Sequence, residues 1–401
     1  MKIAVLCNDT RGGIQPYLAL AQGLKKVGHD VRAVAPSDFA PLFVESGIPA
    51  TPLSGTSEAE LQGSTNISER GIIATMRFMA RELPARINTW TKETLEACEG
   101  ADVITGGVGG MVIGLSVAEK LAVPFIETHL QPVGVVSDVY PGVLLARTPQ
   151  WLGKPGRRFS HFLSDKALWM SFQKAMTSAR EKTLGLKGRN AANRQMVLYG
   201  FSRHVVPVTS NGNGDRERHA TGYWSLPAST TWKPPPGLEE FLTRGGPVVS
   251  IGFGSMASDK PEAVTKLLLE AVRGAGVRAV LLSGWNGIKS LPNVDNIFFA
   301  DSIPHDWLFA RVAAVVHHGG AGTTGAALQV GVPAVVVPFT MDQPFWGLRV
   351  AALGVGPQPI PRKRLTSRKT GGGAQKSHER PGDERACRIA WRTVARRKWY
   401  C

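Results

Sequence analysis

Short apolar, β-branched runs recur along the chain, and most are followed by a longer stretch with helical spacing. Met1-Lys2-Ile3-Ala4-Val5-Leu6 is the first such run. A loop from Cys7 to Gln15 follows, then a helix from Pro16 to Val27 with Leu18, Leu20, Ala21, Leu24 and Val27 on its inner face, stopped at Gly28. Val31 to Ala35, Val103 to Thr105 and Val123 to Ile126 read as further strands of the same sheet. A second set begins at Pro247 to Phe253 and continues near Val277 to Leu282, Ile297 to Phe299, Ala313 to Val316 and Val332 to Val337. Strands alternating with helices imply βαβ units and parallel sheets, an α/β class that all-helical and all-strand folds do not fit.

Between the two sets lies Pro207 to Gly246, with Asn211-Gly212-Asn213-Gly214 and Pro234-Pro235-Pro236, which has the composition of a linker. The expected division is a first domain over 1–206, a linker over 207–246 and a second domain over 247–366. A length of 401 residues exceeds the usual single domain, and a hydrophobic content of 43% is enough for two cores. In doubly wound domains ligands bind beyond the carboxyl ends of the strands.

One strand end has the composition of an anion site. Val315-Val316-His317-His318-Gly319-Gly320-Ala321-Gly322-Thr323-Thr324 reads as strand, tight turn and helix start. Glycines let the backbone approach a phosphate, the first amides of the helix point at it, and Thr323, Thr324 and His318 add donors. The same pattern also serves as a plain strand-to-helix connection. Gly252-Phe253-Gly254-Ser255 is a second strand-end turn, in which the Ser255 hydroxyl is a further donor.

From Phe298 to Val350 the chain resembles the nucleotide-sugar half of the GT-B glycosyltransferases that use UDP- or dTDP-sugars. The motifs are Asp301-Ser302-Ile303-Pro304-His305-Asp306-Trp307-Leu308, His317 to Thr324, and Pro338-Phe339-Thr340-Met341-Asp342-Gln343-Pro344-Phe345-Trp346-Gly347, in the family's order and spacing. The similarity also covers Met1 to Pro36 and most of the chain up to Thr366. Its nearest branch is the bacterial and fungal sterol and lipid glucosyltransferases, with the glycopeptide-antibiotic glycosyltransferases.

The resemblance implies two Rossmann-like doubly wound domains facing across a cleft, with the acceptor bound by 1–206 and the nucleotide-sugar by 247–366. It implies inverting, metal-independent transfer of a hexose, glucose in the nearest branch, from a UDP-sugar to a hydroxyl of a lipophilic acceptor. No cofactor is needed beyond the UDP- or dTDP-sugar donor. Donor contacts fall on Thr10, Arg11, Gly12, Ser255, Trp285, Ser302, Ile303, His318, Gly320, Gly322, Thr323, Thr324, Asp342 and Gln343. His318 takes the diphosphate, backbone groups of Ile303 read the base, and Asp342-Gln343 hydrogen-bond sugar hydroxyls. His317 is left as packing. Trp285 fits either the core or the nucleotide, and Trp346 either the sugar or the helix start.

Catalysis is where the match fails. The family places a histidine or aspartate base in the loop after strand one, and close relatives carry aspartate where this chain has Gly13. Asp9 on that loop and His129 at the end of a later strand are the candidate bases. The alternatives are a nucleotide-sugar-binding homologue without transfer activity and a sugar-nucleotide epimerase. Acceptor-pocket candidates are Ile73, Met76, Phe78, Met79, Leu83 and Trp90, and the segment from His129 through Leu145, although apolar side chains at helical spacing are more often core than pocket.

The net charge of +16 is unevenly placed, with +7 of it after Thr366. That tail, 367–401, has Ile389 and Val394 as its only branched aliphatics, which leaves no helix face to bury. It departs from the family, as a frameshift or truncation after Thr366 would make it, or as a natural basic tail. Between Arg147 and Arg203, Lys154, Arg157, Arg158, Lys166 and Lys174 alternate with Trp151, Phe159, Phe162, Trp169 and Phe172. This pattern fits an amphipathic surface beside a lipidic acceptor or an anionic membrane better than a nucleic-acid site, and it equally fits a solvated charged face. No apolar run is long enough to span a bilayer and the start has no signal-peptide layout, so a cytoplasmic protein peripheral to the membrane is expected. The cysteines Cys7, Cys98, Cys387 and Cys401 have no metal-ligand or disulfide-framework spacing, and the first two read as reduced packing residues.

Overall fold

A computed structural model describes residues 1–8, 11–55, 72–188, 193, 196–208, 216–226, 232–254, 261–283 and 295–362. The chain forms two compact units, Met1–Leu226 and Pro227–Cys401. The expected Asp9, Thr10, Ser255 and Trp285 contacts and the tail lie outside the described residues.

The first unit runs β1 (Lys2–Leu6), α1 (Arg11–Lys26), β2 (Asp30–Pro36), α2 (Ala40–Glu45), β3 (Ala50–Leu53), α3 (Ile72–Cys98), β4 (Val103–Gly106), α4 (Val108–Lys120), β5 (Phe125–His129), α5 (Gly153–Ser178), β6 (Met196–Tyr199) and β7 (Glu217–Ala220). Its seven strands are all parallel in the order β3-β2-β1-β4-β5-β6-β7. Every residue of β4 and all but the first of β1 are buried, as expected of central parallel strands covered on both faces. Ile87, Trp90, Met111, Leu115, Phe125, Leu168 and Phe172 belong to one core around this sheet.

The second unit runs α6 (Leu238–Thr243), β8 (Val248–Gly252), α7 (Pro261–Ala275), β9 (Arg278–Leu282), β10 (Ile297–Ala300), α8 (His305–Phe309), β11 (Ala314–His317), α9 (Ala321–Val330), β12 (Ala334–Val336) and α10 (Gln343–Ala352). Its five parallel strands are ordered β10-β9-β8-β11-β12. Gly331 ends α9 in the left-handed region at φ 78°, which glycine adopts without a Cβ penalty. Phe309, Phe345 and Trp346 are fully buried, each worth about 1.5–3 kcal/mol of apolar transfer.

Three local expectations change. Helix α1 starts at Arg11 rather than Pro16, so Gly13 lies buried within the helix and not on a loop. A proline reads as a boundary, yet here it is carried inside the helix with the loss of one amide donor. The segment 207–246 is more than a linker, because β7 extends the first sheet and α6 packs Leu238 and Phe241 into the second unit's core. Trp90, an acceptor-pocket candidate, is 3% exposed in the first core, and its indole donates to the Ser54 carbonyl at 2.7 Å. Cys7 and Cys98 are free and buried, with burial pushing the Cys98 thiol up to about 12.

Candidate functional site

In the second sheet β8 and β11 are neighbours from which the chain winds in opposite directions, and such a switch point is where a crevice opens beyond the strand ends. Two turns meet there. After β8 the chain turns at Gly254, φ 61°, and after β11 at Gly319, φ 92°. A Cβ on Gly319 would lie 2.7 Å from Val336 Cγ1 and 2.9 Å from the Gln343 carbonyl, so this turn is pressed against β12 and the start of α10. The His318 ring is held between the other glycines. A Cβ on Gly320 would lie 2.5 Å from its Nε2, and one on Gly254 3.1 Å from its Cε1.

Beneath the ring begins α9. Its N-cap, Gly320, offers no side-chain cap, and the first helical amide to find a carbonyl is Thr324, which donates to Gly320 at 2.9 Å. The amides of Ala321, Gly322 and Thr323 precede it and have no carbonyl within the helix to bond. Gly322 is exposed and Thr323 half-buried. Unbonded amides at the positive end of a helix dipole are an arrangement that favours an anion. Thr324 differs from expectation: it is fully buried and its hydroxyl donates to the Gly320 carbonyl at 2.9 Å, so its proton serves the helix.

The two histidines play separate parts. His317 is buried, its Nδ1 accepts the Gly319 amide at 3.1 Å, and it thereby shapes the turn. Burial, with His318 and His305 nearby, holds its pKa well below the ordinary value. The His318 ring stands nearly perpendicular to it, at 89°. Its Nδ1 is buried and has no hydrogen-bond partner among the described residues. Burial first, and then the nearby His305, push its pKa down to about 4, so at neutral pH it is an uncharged donor. His305, stacked on Phe309 at 4.7 Å, acts on both histidines without standing out in the sequence. The signal available was its place in the Ser302-Ile303-Pro304-His305 motif.

The Asp342-Gln343 pair marks the start of α10 after the loop from β12, with Asp342 as the N-cap and Gln343 as the first residue of the helix. Gln343 Oε1 accepts the amides of Phe339 at 2.7 Å and Thr340 at 3.1 Å, which fixes the loop. Met341 is left-handed at φ 54°, a conformation unusual for a residue with a side chain. Asp342 Oδ2 accepts the Trp346 indole N–H at 2.8 Å, and Trp346 is fully buried, which settles it against the helix start. Beyond β10, Ile303 is 3% exposed and anchored in the core, while Ser302 beside it is exposed.

In the first unit the expected residues stand differently. Gly12 is exposed in the first turn of α1, after Arg11. His129 ends β5 and is buried, with Nε2 3.1 Å from Glu127 Oε2. The Arg216 guanidinium donates to the other Glu127 oxygen. A carboxylate held by arginine accepts, so Nε2 is the ring nitrogen that donates to Glu127. Nδ1 is buried without a partner among the described residues. No cluster of three or more His, Cys, Asp or Glu that would hold a metal occurs among the described residues. No helix there is long and apolar enough to cross a membrane.

Comparison with known proteins bears on both units. Residues 3–135 match the glycosyltransferase family 28 N-terminal domain, and residues 280–396 match the erythromycin biosynthesis protein CIII-like C-terminal domain. A sterol 3-beta-glucosyltransferase of Kluyveromyces lactis is 32% identical over 381 residues, 88% of this chain. One of Arabidopsis thaliana is 31% identical over 90% of this chain. The chain spans 30% of the length of the yeast protein and 58% of the plant one. The crystal structure of the kitacinnamycin glycosyltransferase superposes with a TM-score of 0.63 at 19% identity, covering 99% of this chain and 91% of that one. On these matches the chain belongs to the GT-B glycosyltransferases, joining a family 28 N-terminal domain to an erythromycin-biosynthesis-type C-terminal domain.

Proposed function

We propose that this protein transfers a hexose from a UDP- or dTDP-sugar to a hydroxyl of a lipophilic acceptor, with inversion at the anomeric carbon. The observation that carries the reading is the uncapped start of α9 beneath the His318 ring, a donor set suited to a diphosphate leaving group. The acceptor oxygen attacks C1 as the bond to the diphosphate breaks, and a base takes the hydroxyl proton. The amides of Ala321, Gly322 and Thr323 and the His318 N–H meet the charge that develops on the departing phosphate. Asp342 and Gln343 orient the sugar, with Trp346 and the loop amides holding both in place.

Asp9 and His129 remain the candidate bases. The unpartnered Nδ1 of His129, with Glu127 behind Nε2, supports the second. The sterol 3-beta-glucosyltransferase relatives support a sterol-like acceptor and glucose as the sugar. Gly13, buried in α1 where the resemblance calls for an acid, favours a second reading: a homologue that binds nucleotide-sugar without transferring it. Turnover of UDP-glucose on a sterol and on an aromatic acceptor, with the product anomer read by NMR, tests the proposal. An inverted glucoside is the expected product. Retention overturns the stereochemistry, and donor binding without product under both acceptors establishes the second reading.

A further inference from the structure

Helix α5 turns one face to the first core through Leu168, Phe172 and Ala175 and leaves the other unusually apolar. Phe159 is 60% exposed, Phe162 59% and Met170 61%, and Trp151, just before the helix, is 83% exposed. The spacing Phe159, Phe162, Lys166, Met170 is that of a single helical stripe. Phe159 and Phe162 stack at 6.3 Å, and the Lys166 ammonium lies 5.8 Å over the Phe162 ring. The stripe continues onto the preceding segment. Arg157 donates to the Asp138 carbonyl and Arg158 to its carboxylate, both at 2.6 Å, which brings the exposed Val136 and Val139 alongside.

The charge around this stripe is predominantly positive. From Arg147 to Lys174 there are six cationic residues and a single acid, Asp165. Asp165 faces inward and accepts the Gly134 amide at 3.3 Å. Asp138 is the acid facing Arg158, with Lys154 and Arg157 also near it, and no ion pair forms at Lys166 or Lys174 among the described residues. Exposed aromatics ringed by lysines match the two demands of a lipid surface, apolar insertion below the headgroups and attraction to their negative charge. A symmetric contact with a second copy would instead set these lysines against themselves.

We propose that the outer face of α5, with Trp151, Val136 and Val139, docks this protein onto an anionic lipid bilayer. The helix lies in the plane of the surface with Phe159 and Phe162 below the headgroups and Lys154, Lys166 and Lys174 among them. The segment carrying Val136 and Val139 starts directly after His129. If His129 has the acceptor-side role proposed above, docking also brings that end of the sheet to the phase in which a lipophilic acceptor dissolves. The docking itself does not depend on that role.

The test is co-sedimentation of the full chain with vesicles of phosphatidylcholine alone and of an equal mixture with phosphatidylglycerol, together with sedimentation velocity without lipid. Binding to the mixed vesicles and much weaker binding to the neutral ones is expected. Phe159→Ser with Phe162→Ser should weaken binding by about tenfold or more. Lys154→Ala and Lys166→Ala should each weaken it about fivefold in low salt. These side chains are exposed, so unchanged circular dichroism and melting should accompany the loss. Absence of binding to the mixed vesicles, equal binding to both kinds, or variants that bind like the parent would overturn the proposal. So would a dimer in the absence of lipid that the phenylalanine replacements dissociate.

Discussion

At the switch point of the first sheet, between β1 and β4, a glycine-rich turn opens α4; at that of the second, between β8 and β11, another opens α9. Both helices start from a glycine N-cap without a side-chain cap. What the glycines face separates them. A Cβ on Gly107 would lie 1.9 Å from the Tyr17 hydroxyl and 2.7 Å from the Thr128 carbonyl, and one on Gly110 2.7 Å from the Leu6 carbonyl. In the first unit the protein's own backbone and side chains occupy the space that glycine opens. In the second, Gly254 and Gly320 face the His318 ring, and Gly322 is exposed. The same strand, glycine and helix pattern thus serves close packing against the sheet in one place and, in the other, holds a histidine ring over the helix start proposed to take the diphosphate.

The sharpest way to break this comparison is to exchange the expected phenotypes. Gly107→Ala forces the Tyr17 hydroxyl off the Thr128 carbonyl, to which it donates at 2.6 Å. A loss of about 3 kcal/mol in unfolding free energy is expected, with the UDP affinity of the folded fraction unchanged. Denaturant melts with and without UDP report both. His318→Ala should do the reverse, weakening UDP binding by about tenfold to a hundredfold with little change in the melt. A Gly107 variant that loses UDP affinity while keeping its stability would erase the distinction.

Smaller effects sharpen it. Asp342→Ala removes the acceptor of the Trp346 indole and the proposed sugar contact, so affinity for UDP-glucose should fall about fivefold or more relative to UDP. Equal losses for UDP and UDP-glucose in calorimetry would make Asp342 purely structural. The smallest expected effect is in acid. The folded His318 ring binds its proton less tightly than the unfolded one, so protons favour the unfolded chain between about 6.5 and about 4. Stability should therefore fall as the pH drops through that window, and His318→Ala should flatten the fall. His317 acts in the same direction and remains in the variant, so part of the slope persists.

Much of the architecture was legible in apolar runs. Strands β1, β2, β4 and β8 to β12 lie where β-branched runs mark them. The misses have physical reasons. Glu217–Ala220 has no apolar run, because as the edge strand β7 it alternates between exposed and half-buried positions. Ala50–Leu53 contains Pro52, which an edge strand such as β3 tolerates. At the candidate site the motif residues were visible, but not their division of labour. Nothing in His317-His318 tells which ring shapes the turn and which stands over the helix start. That follows from the Gly319 amide on His317 Nδ1 and from the glycines flanking His318. Thr323 and Thr324 are likewise alike in sequence, yet helix geometry commits the Thr324 hydroxyl to Gly320.

The proposed function requires a nucleoside diphosphate at the start of α9 under His318. Isothermal titration of UDP into the full chain and into His318→Ala, with melting curves of both proteins, tests it most directly. Binding by the parent, with affinity at least about tenfold weaker in the variant and matching melts, is the predicted result. Equal affinity in the two proteins, or no binding by the parent, would contradict it.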